Sequence, residues 1–365
     1  MGAAVFIALR ELRAAWGRFA MIGLVVALVA ALVGMVSGFT IGLGNDTVSA
    51  LRAMNAKSVA FADGATDFNR STISAADVQE WHHVPDVDAT PFGISMAHGE
   101  TGSGAVADLA VIGVDPTGPL TPSAKDGERL GTAPGEIVVS TKLLDDGIAI
   151  GDEITVDNTD VVLRVVGTVD PTSYGHVPAA YTSLETWRTV RYGSTDLNER
   201  QRGTAAAIAV LGGDPPTTVG STTVSPETTM LEAAPGYSGE RLTMNSILAF
   251  LYVIAPLIVA AFFAVWILQR QGVYALQRAL GVSRWSLIGA TLAQATVVVG
   301  LSTIIGSAVA YGLGLLLGDA VPFDLPFTSL ATTTLAVIAA SLVGSAVTLR
   351  WVVTADPLTM LGASR

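Results

Sequence analysis

Cysteine is absent from the 365-residue chain, and charged residues make up only 14% of it. The first absence excludes disulfides, thiolate metal sites and cysteine nucleophiles. The second is far below the roughly 25% of soluble domains and argues against a purely soluble protein. A net charge of −11 argues against general binding to nucleic acid. The hydrolase motifs HExxH and GxSxG and the nucleotide-binding loop GxxxxGK[ST] are also missing, so we expect no enzyme and no nucleotide hydrolysis by this chain itself.

Half of the residues are apolar, and they are concentrated in four long runs. Each run reaches the roughly 20 residues that cross a bilayer, and the first has no ionisable residue between Phe19 and Leu43. A cleaved signal peptide is the alternative for this run, although the apolar core of such signals is only about 7–15 residues long. Small residues in the third run favour close helix approach or ordinary packing: Gly300, Gly306, Ser307, Gly312 and Gly314.

The distribution of arginine predicts the orientation of these runs in the membrane. Short basic loops remain in the cytoplasm, and eight arginines flank the runs on one side: Arg10, Arg13, Arg18, Arg270, Arg278, Arg284, Arg350 and Arg365. We therefore expect both termini and the loop 269–285 to be cytoplasmic. The large block between the first two runs then lies outside, where its 27 acidic and 12 basic residues give a net charge of −15.

The external block predicts a mixed α+β module. Alternating branched residues predict strands at 136–140, 152–157, 161–169 and 206–212. We expect short helices at 74–81 and 140–147, and a loop over the turn-rich stretch 212–226.

The sequence therefore predicts a membrane α-helical protein with four transmembrane helices and a large extracytoplasmic α+β domain inserted between spans one and two. The predicted segments are a cytoplasmic amphipathic helix (1–18), span one (19–43), the external domain (44–245), span two (246–268), a cytoplasmic coupling segment (269–285), span three (286–317), a short external loop (318–328), span four (329–353) and a cytoplasmic tail (354–365).

Histidine offers little evidence of a catalytic or metal site. The four histidines are His82, His83, His98 and His176. The adjacent pair His82–His83 follows a tryptophan at the predicted end of a helix. A solvated surface pair and a metal-capturing pair are both compatible with this pattern.

Three stretches resemble the permease subunits of MacB/FtsX-type ABC transporters. They are ALRELRAAWGRF (8–19), LQRQGVYALQRALGVSRWSLIGATLAQ (268–294) and TADPLTMLGASR (354–365). The first resembles the family's amphipathic helix along the inner leaflet, the second its cytoplasmic segment before span three, and the third its Asp-Pro ending. The order of one span, a large external domain and three further spans is also similar to this family.

Within the family, the chain most resembles the heme-efflux permeases of the HrtB type. The stretches at 37–51, 161–181 and 236–250 carry this likeness. The resemblance implies heme as the exported substrate, with another drug-like or lipid compound as the alternative. Iron needs an axial donor, and the candidates for substrate binding are Tyr237, Glu240, Met244, Tyr174, His176 and Met35. Each has a structural alternative as an interfacial aromatic, an ion pair, a turn residue or a packing residue.

The resemblance also implies partners. It predicts a homodimer in the bacterial cell membrane, in contact with lipid, with two copies of a separate ABC ATPase that binds the ATP, and with no cofactor of its own and no metal beyond heme iron. The candidates for ATPase coupling are Tyr274, Leu276, Gln277, Arg278, Leu280 and Gly281; a plain cytoplasmic hairpin is their structural alternative. An FtsX-like permease that activates an extracytoplasmic partner without transport, and a sensor permease that signals to a kinase, are the alternative functions.

Overall fold

The computed structural model describes residues 16–269, 271–318 and 321–354. It divides the chain into two compact units. We call residues 44–240 the sheet unit and the remainder the helical unit. The predicted amphipathic helix and the C-terminal tail lie largely outside the described residues.

Within the described residues, the helical unit contains all or part of five helices: α1 (Trp16–Ala53), α6 (Tyr237–Gln269), α7 (Gln271–Ala279), α8 (Arg284–Leu317) and α9 (Phe327–Thr354). Four of these, all except α7, are long and apolar enough to cross a membrane. The prediction of four membrane helices is thereby confirmed. The boundaries between the units fall inside α1, after Leu43, and inside α6, after Glu240.

Helices α1 and α8 pack in parallel through small residues. A Cβ atom added to Gly23 would lie 2.8 Å from Ser302 Oγ, and one added to Gly34 would lie 2.8 Å from the Ala310 side chain. Between these two levels, a Cβ atom at Gly306 would lie 2.2 Å from the Ala27 carbonyl oxygen. Glycine at these positions therefore permits a close backbone approach, which is how helices pack inside membranes.

Twelve strands and four short helices form the sheet unit. The strands are β1 (Ser58–Ala62), β2 (Asp88–Thr101), β3 (Val106–Val114), β4 (Asp126–Gly127), β5 (Glu136–Ser140), β6 (Glu153–Val156), β7 (Val162–Val169), β8 (Ser173–Tyr174), β9 (Val177–Ser183), β10 (Ala207–Gly212), β11 (Thr218–Val219) and β12 (Thr222–Pro226). The helices are α2 (Ala75–His82), α3 (Lys142–Asp145), α4 (Leu184–Tyr192) and α5 (Glu227–Glu232).

The strands follow the order β11-β12-β1-β10-β2-β3-β9-β5-β7-β4. Strand β6 pairs with both β2 and β7, and β8 pairs with β9. The pairs β3–β9 and β5–β7 are parallel, whereas the other pairs are antiparallel. This mixed sheet with helices is the α+β architecture that the sequence predicts.

The indole ring of Trp187 joins helix α4 to the sheet. Gly93 of β2 and Gly113 of β3 are cross-strand partners. A Cβ atom at Gly93 would lie 2.2 Å from this ring, and one at Gly113 would lie 2.4 Å from the Trp187 Cβ. Trp187 is fully buried, and its indole N–H donates to Ser95 Oγ at 3.0 Å. Two paired glycines thus form the slot that accepts the largest buried side chain of the unit.

The local predictions for the sheet unit are confirmed for four strands and for helix α2, whereas helix α3 and one predicted loop differ. Strands β5, β6, β7 and β10 lie within one residue of their predicted bounds, and Ser74 caps α2 by accepting from the Asp77 amide. Helix α3 is shorter than predicted, with four residues. The prediction of a loop over 212–226 is wrong, because β11 and β12 lie there. Its Thr- and Ser-rich segment gains strand geometry by pairing with β1, which no local pattern reveals.

Candidate functional site

His176 lies at the tip of a tight hairpin between β8 and β9. Tyr174 and Val177 are paired, so Gly175 and His176 form the two-residue turn. Both turn residues have positive φ angles, 59° and 66°, as in a type I′ turn. The Gly175 amide donates to the Thr47 carbonyl oxygen at 2.8 Å, which fixes the hairpin tip against the end of α1. The turn therefore presents the imidazole in a defined position.

The imidazole lies between two carboxylates that the chain supplies from opposite ends of the sheet unit. His176 Nε2 lies 2.8 Å from Glu240 Oε1, and Nδ1 lies 3.7 Å from Asp46 Oδ2. The Thr47 hydroxyl donates to Glu240 Oε2 at 3.2 Å. The His176 and Glu240 side chains retain 39% and 33% of their accessible surface, so solvent or a ligand reaches both.

Lys142 completes this group of charged side chains. Its ammonium group pairs with Asp46 and donates to Ser173 Oγ, the latter at 2.9 Å. We call Asp46, Thr47, Lys142, Ser173, His176 and Glu240 the His176 cluster. Its two carboxylates, those of Asp46 and Glu240, exceed its one permanent cation, the Lys142 ammonium group. Imidazole and carboxylate groups are also both iron donors.

The two tyrosines predicted for the site lie in the hydrophobic core of the sheet unit. The Tyr174 ring packs against Phe68 at 5.9 Å, and its hydroxyl donates to the Ala233 carbonyl oxygen at 3.4 Å. Burial raises the pKa of the Tyr174 phenol, which opposes the proton loss that iron ligation requires. Tyr237 is 5% exposed. His176 and Glu240 are therefore the predicted residues that the fold brings together at an accessible position.

The two predicted methionines belong to the helical unit. Met35 is half-buried on α1 and Met244 is half-buried on α6. Both methionines thus belong to the unit that carries the membrane helices, whereas the His176 cluster belongs to the sheet unit.

The predicted coupling residues lie on α7 and in the turn that follows it. Tyr274, Leu276, Gln277 and Arg278 lie within the helix. The Val282 amide donates to the Gln277 carbonyl oxygen at 3.0 Å, and Gly281 has a φ angle of 91°, which together end the helix in a Schellman motif. Leu276 and Leu280 are 62% and 76% exposed, so α7 presents apolar surface next to a defined turn.

Sequence reasoning missed Asp46, Thr47, Lys142 and Ser173. A signal for Asp46 is present, since it is the first ionisable residue after the first apolar run, and Glu240 is the last acid before the second. Asp46 and Glu240 thus stand close to the two ends of the domain between the two apolar runs, which suggests that their carboxylates lie near each other. No comparable pattern identifies Lys142, because β5 and α3 bring it to the cluster from the middle of the sheet unit.

The other histidines are surface residues of the sheet unit. His82 and His83 are exposed at the end of α2, and His83 Nδ1 lies 2.7 Å from the Gln79 carbonyl oxygen. Within the described residues, no three His, Asp or Glu side chains converge as metal ligands would.

His98 provides a pH-dependent marker of the folded sheet unit. Its Nδ1 lies 2.6 Å from Asp108 Oδ1, and this hydrogen bond raises the pKa of the imidazole above its usual value. The hydrogen bond between His98 and Asp108 therefore stabilises the folded sheet unit fully at pH values below the pKa of histidine in the unfolded chain, about 6.5. This stabilisation is lost as the pH rises through the higher pKa of His98 in the folded protein. We expect Asp108→Asn to lower the pKa of His98 in an NMR titration of the imidazole. An unchanged His98 pKa in this variant would contradict the assignment of the cause, and His83 provides the internal reference.

The architecture is that of a membrane permease with a large domain after its first helix, and two family models match the chain. The MacB-like periplasmic core domain matches residues 19–245, and the FtsX-like permease C-terminal domain matches residues 245–357. The chain therefore belongs to the MacB/FtsX family of ABC transporter permeases. This family acts in the cell membrane as multi-pass permease subunits, and its membership implies a partner ATPase.

Among curated proteins, the chain is similar to "Putative hemin transport system permease protein HrtB" of Staphylococcus haemolyticus, with 22% identity over 94% of this chain and 95% of that protein. The protein of the same name from Staphylococcus epidermidis strain RP62A is 21% identical over 63% of this chain and 64% of its own length. Among solved structures, the periplasmic region of MacB from Actinobacillus actinomycetemcomitans matches 49% of this chain and 92% of its own length, with 14% identity and a TM-score of 0.35.

Proposed function

We propose that this chain is the permease subunit of an ABC efflux pump that exports heme taken from the membrane, driven by a separate ATPase subunit. The observation that carries the proposal is the pairing of His176 with Glu240 at 2.8 Å in a solvent-accessible position. The similarity to proteins named as hemin transport permeases over nearly the whole chain supports the same substrate.

The His176 cluster has the chemistry to hold a ferric porphyrin. Either His176 Nε2 or a Glu240 oxygen supplies the axial donor once their mutual hydrogen bond opens. The Lys142 ammonium group is one-third exposed, so a propionate of the porphyrin can reach it in competition with Asp46. The Thr47 hydroxyl holds whichever Glu240 oxygen remains free.

The energy for export comes from the partner. Four spans per chain are too few to enclose a path, so the working pump is a homodimer in lipid with two ATPase subunits. The termini and α7 face the cytoplasm in this arrangement, and closure of the ATPases displaces α7. The exposed Leu276 and Leu280 provide the apolar contact for that partner.

Hemin titration of the full-length chain in lipid nanodiscs tests the substrate. We expect the Soret band of hemin to shift on binding, and His176→Ala combined with Glu240→Gln to weaken or abolish the shift, because both iron donors are then lost. His98→Ala is the matched control, since His98 is an exposed histidine of the same unit that pairs with Asp108 instead.

Three outcomes separate the alternatives. A Soret shift that only the double variant loses supports heme binding at the His176 cluster. A shift that His98→Ala also abolishes points to nonspecific ligation by surface histidines and contradicts the site. An unperturbed Soret band with the wild-type chain removes heme as substrate and favours an FtsX-like permease that activates an external partner.

A further inference from the structure

The aromatic ring of Phe323 fills a slot between α1 and α8. A Cβ atom added to Gly38 of α1 would lie 2.2 Å from this ring, and one added to Gly314 of α8 would lie 2.1 Å from it. The rings of Phe323 and Phe39 also meet edge-on, with centroids 5.3 Å apart. The slot therefore exists only because both helices have glycine at this level.

The backbone next to Phe323 is bonded to α1 as well. The Asp324 amide donates to the Gly38 carbonyl oxygen at 3.2 Å. A Cβ atom at Gly42 would lie 2.2 Å from the Pro322 carbonyl oxygen, so the loop lies directly on the helix backbone. Gly34, Gly38 and Gly42 recur every four residues and so form one face of α1. This face accepts α8 at Gly34 and the loop at Gly38 and Gly42.

The contact between α1 and α8 differs from one end of the helix pair to the other. At Gly23, Gly306 and Gly34 the two helices touch directly, whereas at Gly38 the Phe323 ring takes the place of a direct contact. A rigid ring wedged between two backbones loses dispersion contacts on one side whenever either helix slides or separates. Since packed interiors resist such voids, the ring opposes independent motion of α1 and α8 at this end.

We propose that Phe323 is a positioning residue that makes α1 and α8 move as one body. Helix α8 begins five residues after α7 ends, and the far end of α1 supplies Asp46 and Thr47 to the His176 cluster. A displacement of α7 thus passes along α8, through the Phe323 ring, to the helix that forms part of the cluster. The inference rests on the proposed function only for the force that starts this displacement.

Distance measurements test the coupling without substrate or ATPase. The chain has no cysteine, so spin labels attach only at the introduced pair Leu32→Cys on α1 and Leu313→Cys on α8, both exposed positions. In the full-length chain in nanodiscs, we expect a narrow distance distribution that broadens in Phe323→Ala and stays narrow in Phe323→Leu. Phe327→Ala is the matched control, because Phe327 is 79% exposed four residues further on.

A second variant distinguishes loss of the contact between α1 and α8 from simple misfolding of the chain. Gly38→Ala expels the ring from the slot, so it should broaden the distribution as Phe323→Ala does, and the double variant should be no broader than either single one. Equal distributions for wild type and Phe323→Ala overturn the proposal. Additive broadening in the double variant overturns it too, since the two residues would then act independently.

The transport measurement follows in the complex with the ATPase. We expect Phe323→Ala to reduce ATP-driven hemin efflux by at least about fivefold, the lower limit of ordinary coupling between sites, while ATP hydrolysis continues. Efflux by Phe323→Ala at the wild-type rate overturns the inference. A wild-type complex that exports no hemin contradicts the proposed function instead, and the distance measurement still decides the coupling of α1 and α8.

Discussion

The substitution Trp187→Ala is expected to lower the free energy of unfolding of the sheet unit by about 3–5 kcal/mol, the usual loss for a buried aromatic side chain. Trp187 has no accessible surface and rests on the two paired glycines of β2 and β3. Its removal leaves a cavity over both strands and takes away the indole donor of Ser95. Hydrogen exchange of the β2 and β3 amides in the full-length chain measures the effect, because protection there reports the free energy of opening.

Two variants serve as controls for this prediction. Trp187→Phe retains a ring in the slot and loses the hydrogen bond to Ser95, so its effect should be smaller. Trp285→Ala should leave β2 and β3 protected, since Trp285 is exposed and belongs to the helical unit. Wild-type protection in Trp187→Ala would show that the glycine slot does not hold α4 on the sheet.

Breaking α7 is expected to abolish ATP-driven export while the ATPase partner continues to hydrolyse ATP. Proline at Leu276 removes a backbone donor in the middle of a nine-residue helix and costs about 3 kcal/mol or more. The Leu280 amide then also loses its regular geometry, because it donates to the Leu276 carbonyl oxygen at 3.0 Å. Parallel measurement of ATP hydrolysis and hemin efflux in proteoliposomes separates uncoupling from loss of the complex.

The double substitution Leu276→Ala with Leu280→Ala tests the contact surface itself. Alanine preserves the helix and removes the exposed apolar side chains, so efflux should fall together with binding of the ATPase. Leu316→Ala, at an exposed position of α8, is the control for loss of an apolar side chain elsewhere. Normal efflux with proline at position 276 would contradict a coupling role for α7.

Local patterns predicted the membrane helices and some of the strands and short helices of this fold, but not their arrangement. Four apolar runs predicted the membrane helices, and alternation predicted strands such as β5 and β7. Their parallel pairing and that of β3 with β9 depend on contacts between distant segments, which carry no local signature. The glycines of α8 gave a similar result. Gly306 and Gly314 lie in tight contacts as expected, whereas a Cβ atom added to Gly300 or Gly312 would meet no atom of another element within 4 Å.

The sequence predicted only part of the candidate site, again because contacts between distant segments carry no local signature. Residue chemistry selected His176 and Glu240, and the fold places them in contact. It also selected Tyr174 and Tyr237, whose aromatic bodies instead fill the core. Residue type alone does not distinguish these outcomes, because a tyrosine close to a turn serves equally well as a ligand or as a packing residue.

The position of β1 has a consequence for biosynthesis. This strand is the first of the sheet, yet its neighbours are β12 and β10, which the ribosome makes more than 140 residues later. The partly formed sheet therefore keeps unpaired strand edges until residue 226 has left the ribosome. Pairing between strands that are so far apart in the sequence is slow. The nascent chain must consequently anchor its first helix and shield an open sheet for much of its synthesis, which makes this interval the period when chaperones matter most.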